Sequence, residues 1–78
     1  MDGMQTTPRI FDVEVIHDDE AGVWVGICDA LPATGEGETF DAMIRRFEEV
    51  AADMAVENGH ASDGRVALRY LVTREVAA

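Results

Sequence analysis

Lysine is missing from this chain: its six basic residues are all arginines, set against sixteen acids, for a net charge of −10. Without lysine there is no Schiff-base chemistry. So acidic a chain also repels nucleic acid and anionic membranes, because affinity for a phosphate backbone comes largely from Lys and Arg contacts. The same field would steer in a basic protein partner, although on charge alone plain solubility is the better explanation. Cysteine is almost absent too. Cys28 stands alone, so an intramolecular disulfide is impossible, and its neighbours Ile27 and Asp29 include no cation to stabilise a thiolate. The one serine, Ser62, has no positioned base nearby. No apolar run approaches the ~20 residues needed to span a bilayer. The opening MDGMQTTPRI lacks the basic and apolar regions of a secretory signal. These absences lead us to expect a cytoplasmic protein with no membrane contact and no direct nucleic-acid contact.

What is present is enough for one small domain. The chain has 78 residues, 47% of them apolar, which suits a packed core and argues against disorder. A chain this short buries only about 60–65% of its unfolded surface, so its own core leaves it marginally stable. A partner or a second copy that binds the folded state alone would add stability. We read residues 1–9 as a loose lead-in ending just after Pro8, residues 10–73 as the domain, and residues 74–78 as a tail.

Local patterns order the elements. Ile10 to His17 alternates, with Phe11, Val13 and Val15 on one face and Asp12 and Glu14 on the other, as in a half-buried strand. Asp18 to Gly22 reads as a hairpin turn, with Gly22 free to adopt the left-handed conformation. Val23 to Asp29 is the β-branched return strand, ended by Leu31-Pro32. A short third strand fits around Thr34–Glu36. Thr39 is a natural helix N-cap, and apolar residues at 40, 43, 44, 47, 50, 51, 54 and 55 trace one helical stripe. Arg45 and Glu49 have the i, i+4 spacing of an ion pair on that helix. Gly59 closes the helix, and Arg65 to Thr73 is the last strand, with Val66, Leu68, Tyr70 and Val72 on one face.

The expected fold is α+β, in the order β-β-β-α-β: a mainly antiparallel sheet with one long helix packed on one face. No second helix exists to cover the other face, where we expect Ile10, Ile16, Trp24 and Leu71 between polar residues. Apolar side chains on an uncovered face suggest an interface. Trp24 is assigned there because Val23, Val25 and Ile27 already supply a core-facing row.

Three segments add a resemblance. Asp19–Gly26 (DEAGVWVG), Asp29–Pro32 (DALP) and Gly35–Phe40 (GEGETF) resemble HicB-like antitoxins, especially their short stand-alone branch of domains of unknown function. The likeness covers Phe11–Met54, and Arg65–Val72 fits the family's closing strand. It implies a partial ribonuclease H-like fold that neutralises a small basic RNA-cleaving toxin by covering it. Relatives usually carry a C-terminal DNA-binding module, for which these 78 residues leave no room. Pro32 is also followed by Ala33, where the family usually has glycine. The function implied is that of a non-enzymatic antitoxin-like module, a homodimer in contact with a small basic toxin-like protein. The other reading is an orphan structural or oligomerisation domain without a toxin.

Other chemistry fits the residues poorly. A two-metal nuclease needs converging carboxylates, but Asp12 points away from the helix and Glu48 and Glu49 lie on the helix's solvent side. His17-Asp18-Asp19-Glu20 lacks the alternating oxygens and distal glutamate of a calcium loop. Gly35-Glu36-Gly37-Glu38 has Phe40 where a dinucleotide fingerprint needs glycine, and its glutamates would repel phosphate. His60 has no catalytic partner in the sequence. We therefore expect no catalytic residue, no metal and no cofactor.

Overall fold

A computed structural model describes residues 9–61, 63, 65–74 and 76. Strands β1 (Ile10–Asp18), β2 (Val23–Cys28) and β3 (Ala33–Gly37) precede helix α1 (Phe40–Glu57), and β4 (Ala67–Val72) follows it. The sheet order is β3-β2-β1-β4. β2 pairs antiparallel with both β1 and β3, whereas β4 runs parallel to β1. The fold is thus the expected α+β arrangement, with a parallel pair at one edge. Of the lead-in over residues 1–9 only Arg9 lies within the described residues, and of the tail over 74–78 only Arg74 and Val76. Ser62 also lies outside them. No helix among the described residues is long and apolar enough to cross a membrane.

Turn chemistry fixes the β1–β2 hairpin. Gly22 has φ +69°, and its N–H donates to the Asp18 carbonyl at 2.8 Å. The Asp18 carboxylate accepts from the Glu20 and Ala21 N–H groups at 3.1 and 3.2 Å. The side chain is therefore satisfied by its own turn. Thr39 caps α1 as its sequence suggests: its hydroxyl accepts from the Ala42 N–H at 3.1 Å. At the other end Asn58 is the C-cap, followed by Gly59 at φ +75°. The His60 N–H donates to the Ala55 carbonyl at 2.8 Å and the Gly59 N–H to Val56 at 3.2 Å, a Schellman closure. Asn58 Nδ2 also donates to the Leu31 carbonyl at 3.0 Å, tying the helix end to the β2–β3 connection.

The core lies between α1 and one sheet face. Phe11, Val13 and Val15 of β1 meet Met43, Phe47, Ala51 and Ala55 of α1, all buried, with Cys28, Leu31 and Ala33 closing the layer. Val50, included in the apolar stripe, stays at the margin and is exposed. The helix lies along β3 and, less closely, β2. Glycines make this approach possible. Gly26 pairs with Gly35 and Trp24 with Gly37. A Cβ on Gly35 would sit 2.7 Å from Phe47 Cα, and one on Gly37 would sit 2.6 Å from the Met43 backbone N. Real Cβ atoms do not come that close.

Gly35→Ala should therefore lower stability by about 1–3 kcal/mol through overpacking against rigid backbone. Gly26→Ala should cost less, because its Cβ would meet chiefly the movable Met43 Sδ, at 2.9 Å. Urea unfolding followed by Trp24 fluorescence ranks the two. A Gly35→Ala midpoint equal to wild type would refute the close-approach account.

Candidate partner-binding face

Register decides which side chains occupy the face that α1 leaves bare. Residues opposite one another on paired strands share a face. Ile16 lies opposite Val25, and Glu14 lies between Ile27 on β2 and Leu71 on β4. Ile27 in turn faces Thr34, and Val25 faces Glu36. Towards the start of β1, Asp12 pairs with Arg69 and Ile10 with Ala67. The bare face thus has an apolar centre of Ile16, Val25, Ile27 and Leu71 around Glu14, with Ile10 and Ala67 at one end. Ile10, Ile16 and Leu71 are 53%, 40% and 48% exposed.

Trp24 is not on this face, which corrects the sequence reading. It pairs with His17 on β1 and Gly37 on β3, positions that point towards α1. Its ring meets Phe40 edge-on at 5.4 Å and tilts against His17 at 4.9 Å. Trp24 covers the start of the helix. Val25 and Ile27, assigned to the core for their hydrophobicity, face outward instead, with Val23 opposite Asp18 beside them. The inward row of β2 is Trp24, Gly26 and Cys28, because a β-branched residue at position 26 would collide with Met43. The signal that could have revealed this is the Gly26, Gly35, Gly37 set at alternate positions, which marks a strand pair under a close helix.

The charges on the bare face are lopsided. Asp12, Glu14, Asp18 and Glu36 share it with Arg69 as its arginine. Arg69 is already engaged: Nε donates to Asp12 Oδ1 at 2.7 Å and Nη2 to Oδ2 at 3.2 Å. That hydrogen bond holds the Asp12 carboxyl below its ordinary 3.8. Glu14 and Glu36 are left as exposed carboxylates beside apolar neighbours. The expected Arg45–Glu49 pair is not among the ion pairs formed by the described residues.

The opposite side of the sheet has a separate feature. Because α1 lies over β3 and β2, a groove of about 370 Å³ opens between the helix and β4, lined by Glu48, Ala52, Arg65, Val66, Leu68 and Tyr70. Tyr70 Oη donates to Glu48 Oε2 at 2.9 Å across it. Glu48 is therefore on the helix side of the sheet while Asp12 is on the bare side, so the two carboxylates do not meet. His17 Nδ1 lies 2.6 Å from Asp19 Oδ1 in the exposed hairpin. The His60 ring packs edge-on against Phe11 at 5.2 Å. Among the described residues no three His, Cys, Asp or Glu side chains are grouped as a metal site.

In comparison with known proteins, a family model described as Domain of unknown function (DUF1902) matches residues 10–78. No curated protein and no solved structure matches the chain.

Partial burial, and then the Glu48 hydrogen bond and charge, raise the Tyr70 phenol above its ordinary 10.0. The neutral phenol is thus favoured by folding, and that contribution is lost as pH rises through the folded-state value. Tyr70 is the only tyrosine, so phenolate absorbance reports it alone. The folded chain should titrate above pH 10. Glu48→Gln should bring the midpoint part of the way down, leaving the burial effect. An unchanged midpoint in Glu48→Gln would show that the carboxylate does not reach the ring in solution.

Proposed function

This chain belongs to the DUF1902 family, and we propose that it is a non-enzymatic binding module whose uncovered sheet face covers a small basic protein of the RNA-cleaving toxin type. The observation that carries this reading is the composition of that face. Ile16, Val25, Ile27 and Leu71 offer an apolar anchor, and Glu14 and Glu36 supply exposed negative charge beside it. A hydrophobic centre gives such an interface its energy, and complementary rim charge gives it encounter rate and selectivity. A net charge of −10 extends the field beyond the face. The HicB-like segments at Asp19–Gly26, Asp29–Pro32 and Gly35–Phe40 support the same reading and point to a toxin as the partner. Masking a cationic nuclease needs no chemistry of the binder's own: an acidic, apolar-centred surface competes directly with RNA for the basic one.

The test has two stages. Tagged chain should capture a small basic protein in stoichiometric amount, and adding chain should suppress that protein's RNA cleavage in vitro. Ile16→Asp with Val25→Asp should abolish both effects while Trp24 fluorescence still reports a folded helix–sheet contact. Raising NaCl should weaken the complex, as screening removes the rim attraction. Full inhibition retained by the double variant would place the contact elsewhere, and capture of no basic protein would remove the toxin reading.

A further inference from the structure

We infer that β4 is a self-association edge, at which a second copy of the chain adds its own β4 antiparallel and joins the two sheets into one. This surface is a backbone edge that borders the bare face at Leu71, and it stands independently of the toxin reading. Three observations converge on it.

Among the described residues β4 pairs with β1 alone, and no strand pairs with its outer edge. The Thr73 N–H donates to the Val15 carbonyl at 3.3 Å. Strand alternation then turns the backbone groups of Ala67, Arg69 and Leu71 towards β1 and those of Leu68, Tyr70 and Val72 outward. The second observation is that β4 is apolar on both faces. Leu71 on the bare side and Val72 on the helix side are 48% and 46% exposed, and Leu68 and Tyr70 line the half-open groove beside α1. Edge strands are normally protected by proline, bulges or inward charge. The segment Ala67–Val72 (ALRYLV) has none of these, and its single charge, Arg69, is held by Asp12.

The third observation is charge. Residues 65–74 (RVALRYLVTR) contain no acid, and Arg65 and Arg74 flank the strand, in a chain of net charge −10. The other edge, β3, continues through Glu36 and Glu38, so two β3 edges would repel. The β4 edge is thus where a second copy of so acidic a chain can approach.

Geometry also sets the register. A two-fold axis through Tyr70 places it opposite the partner's Tyr70 and Leu68 opposite the partner's Val72. This alignment pairs all three outward residues of each copy. A shift towards the N-terminus would set Arg69 against the partner's Arg69, and a shift towards the C-terminus would leave Leu68 facing Arg74. Closed two-fold pairing also ends the assembly at a dimer.

Sedimentation equilibrium of the full chain over a range of concentration and NaCl provides the test. The wild type should move from the 8.5 kDa monomer to twice that mass. The dimer should tighten with added salt, because screening relieves the repulsion between two acidic copies. Val72→Lys should weaken it by about tenfold or more, as an edge charge does, with Trp24 fluorescence unchanged. Val72→Pro, which removes an outward N–H and leaves the β1 ladder intact, should do the same. Ile16→Asp should leave the dimer intact. A chain that stays monomeric throughout would overturn the inference. So would a dimer indifferent to Val72→Lys but lost in Ile16→Asp, or a series of masses beyond the dimer, the mark of β4 joining β3 head to tail.

Discussion

The closeness of α1 to β3 governs this small fold. Helix and sheet normally meet through two layers of side chains, but here Gly35 and Gly37 present bare backbone to the helix. The core can then be assembled from Ala33, Ala51 and Ala55 around Phe47 and Met43. A chain this short cannot bury much surface, and bringing the layers together raises the packing it obtains from what it has. The cost is reach. A helix pressed over β3 and β2 leaves β4 beyond its cover, which opens the groove at Tyr70 and exposes Val72.

The same constraint explains which parts of the fold were legible in the sequence. Elements with local causes could be read directly: the alternation of β1, the Gly22 turn, the Thr39 cap and the glycine after Asn58. The faces of β2 could not be read from hydrophobicity. Its sequence VWVGIC offers two plausible inward rows, and three β-branched residues look more core-like than a tryptophan, a glycine and a cysteine. Only the opposing glycines of β3 break the tie, and they do so through pairing between strands, which a strand-by-strand reading does not see. Ile10, Ile16 and Leu71 lie on the bare face because their strands offer no such ambiguity. Trp24 sits beneath the helix start because Phe40 and Gly37 make room for it there.

Charge and hydrophobicity are distributed unequally over the molecule, and the two proposed surfaces take different shares. The bare face combines apolar residues with exposed carboxylates, a composition suited to a cationic protein. The β4 edge combines apolar residues with arginines, so a second acidic copy can approach it. One small domain can thus present two surfaces that do not compete for the same occupant.

The parallel pairing of β1 with β4 also gives the molecule an order of assembly. β1, β2, β3 and α1 each contact the element next to them in the chain, so they can form as sequence-local pieces. β4 meets α1, its neighbour in the chain, through side chains such as Tyr70 with Glu48, but finds its strand partner elsewhere. It returns from the far end of the helix to a strand more than fifty residues earlier, so its loop-closure entropy is met last. During synthesis the first strand therefore waits with one edge unpaired until residue 72 has been made, and Phe11, Val13 and Val15 acquire their last sheet neighbours only then.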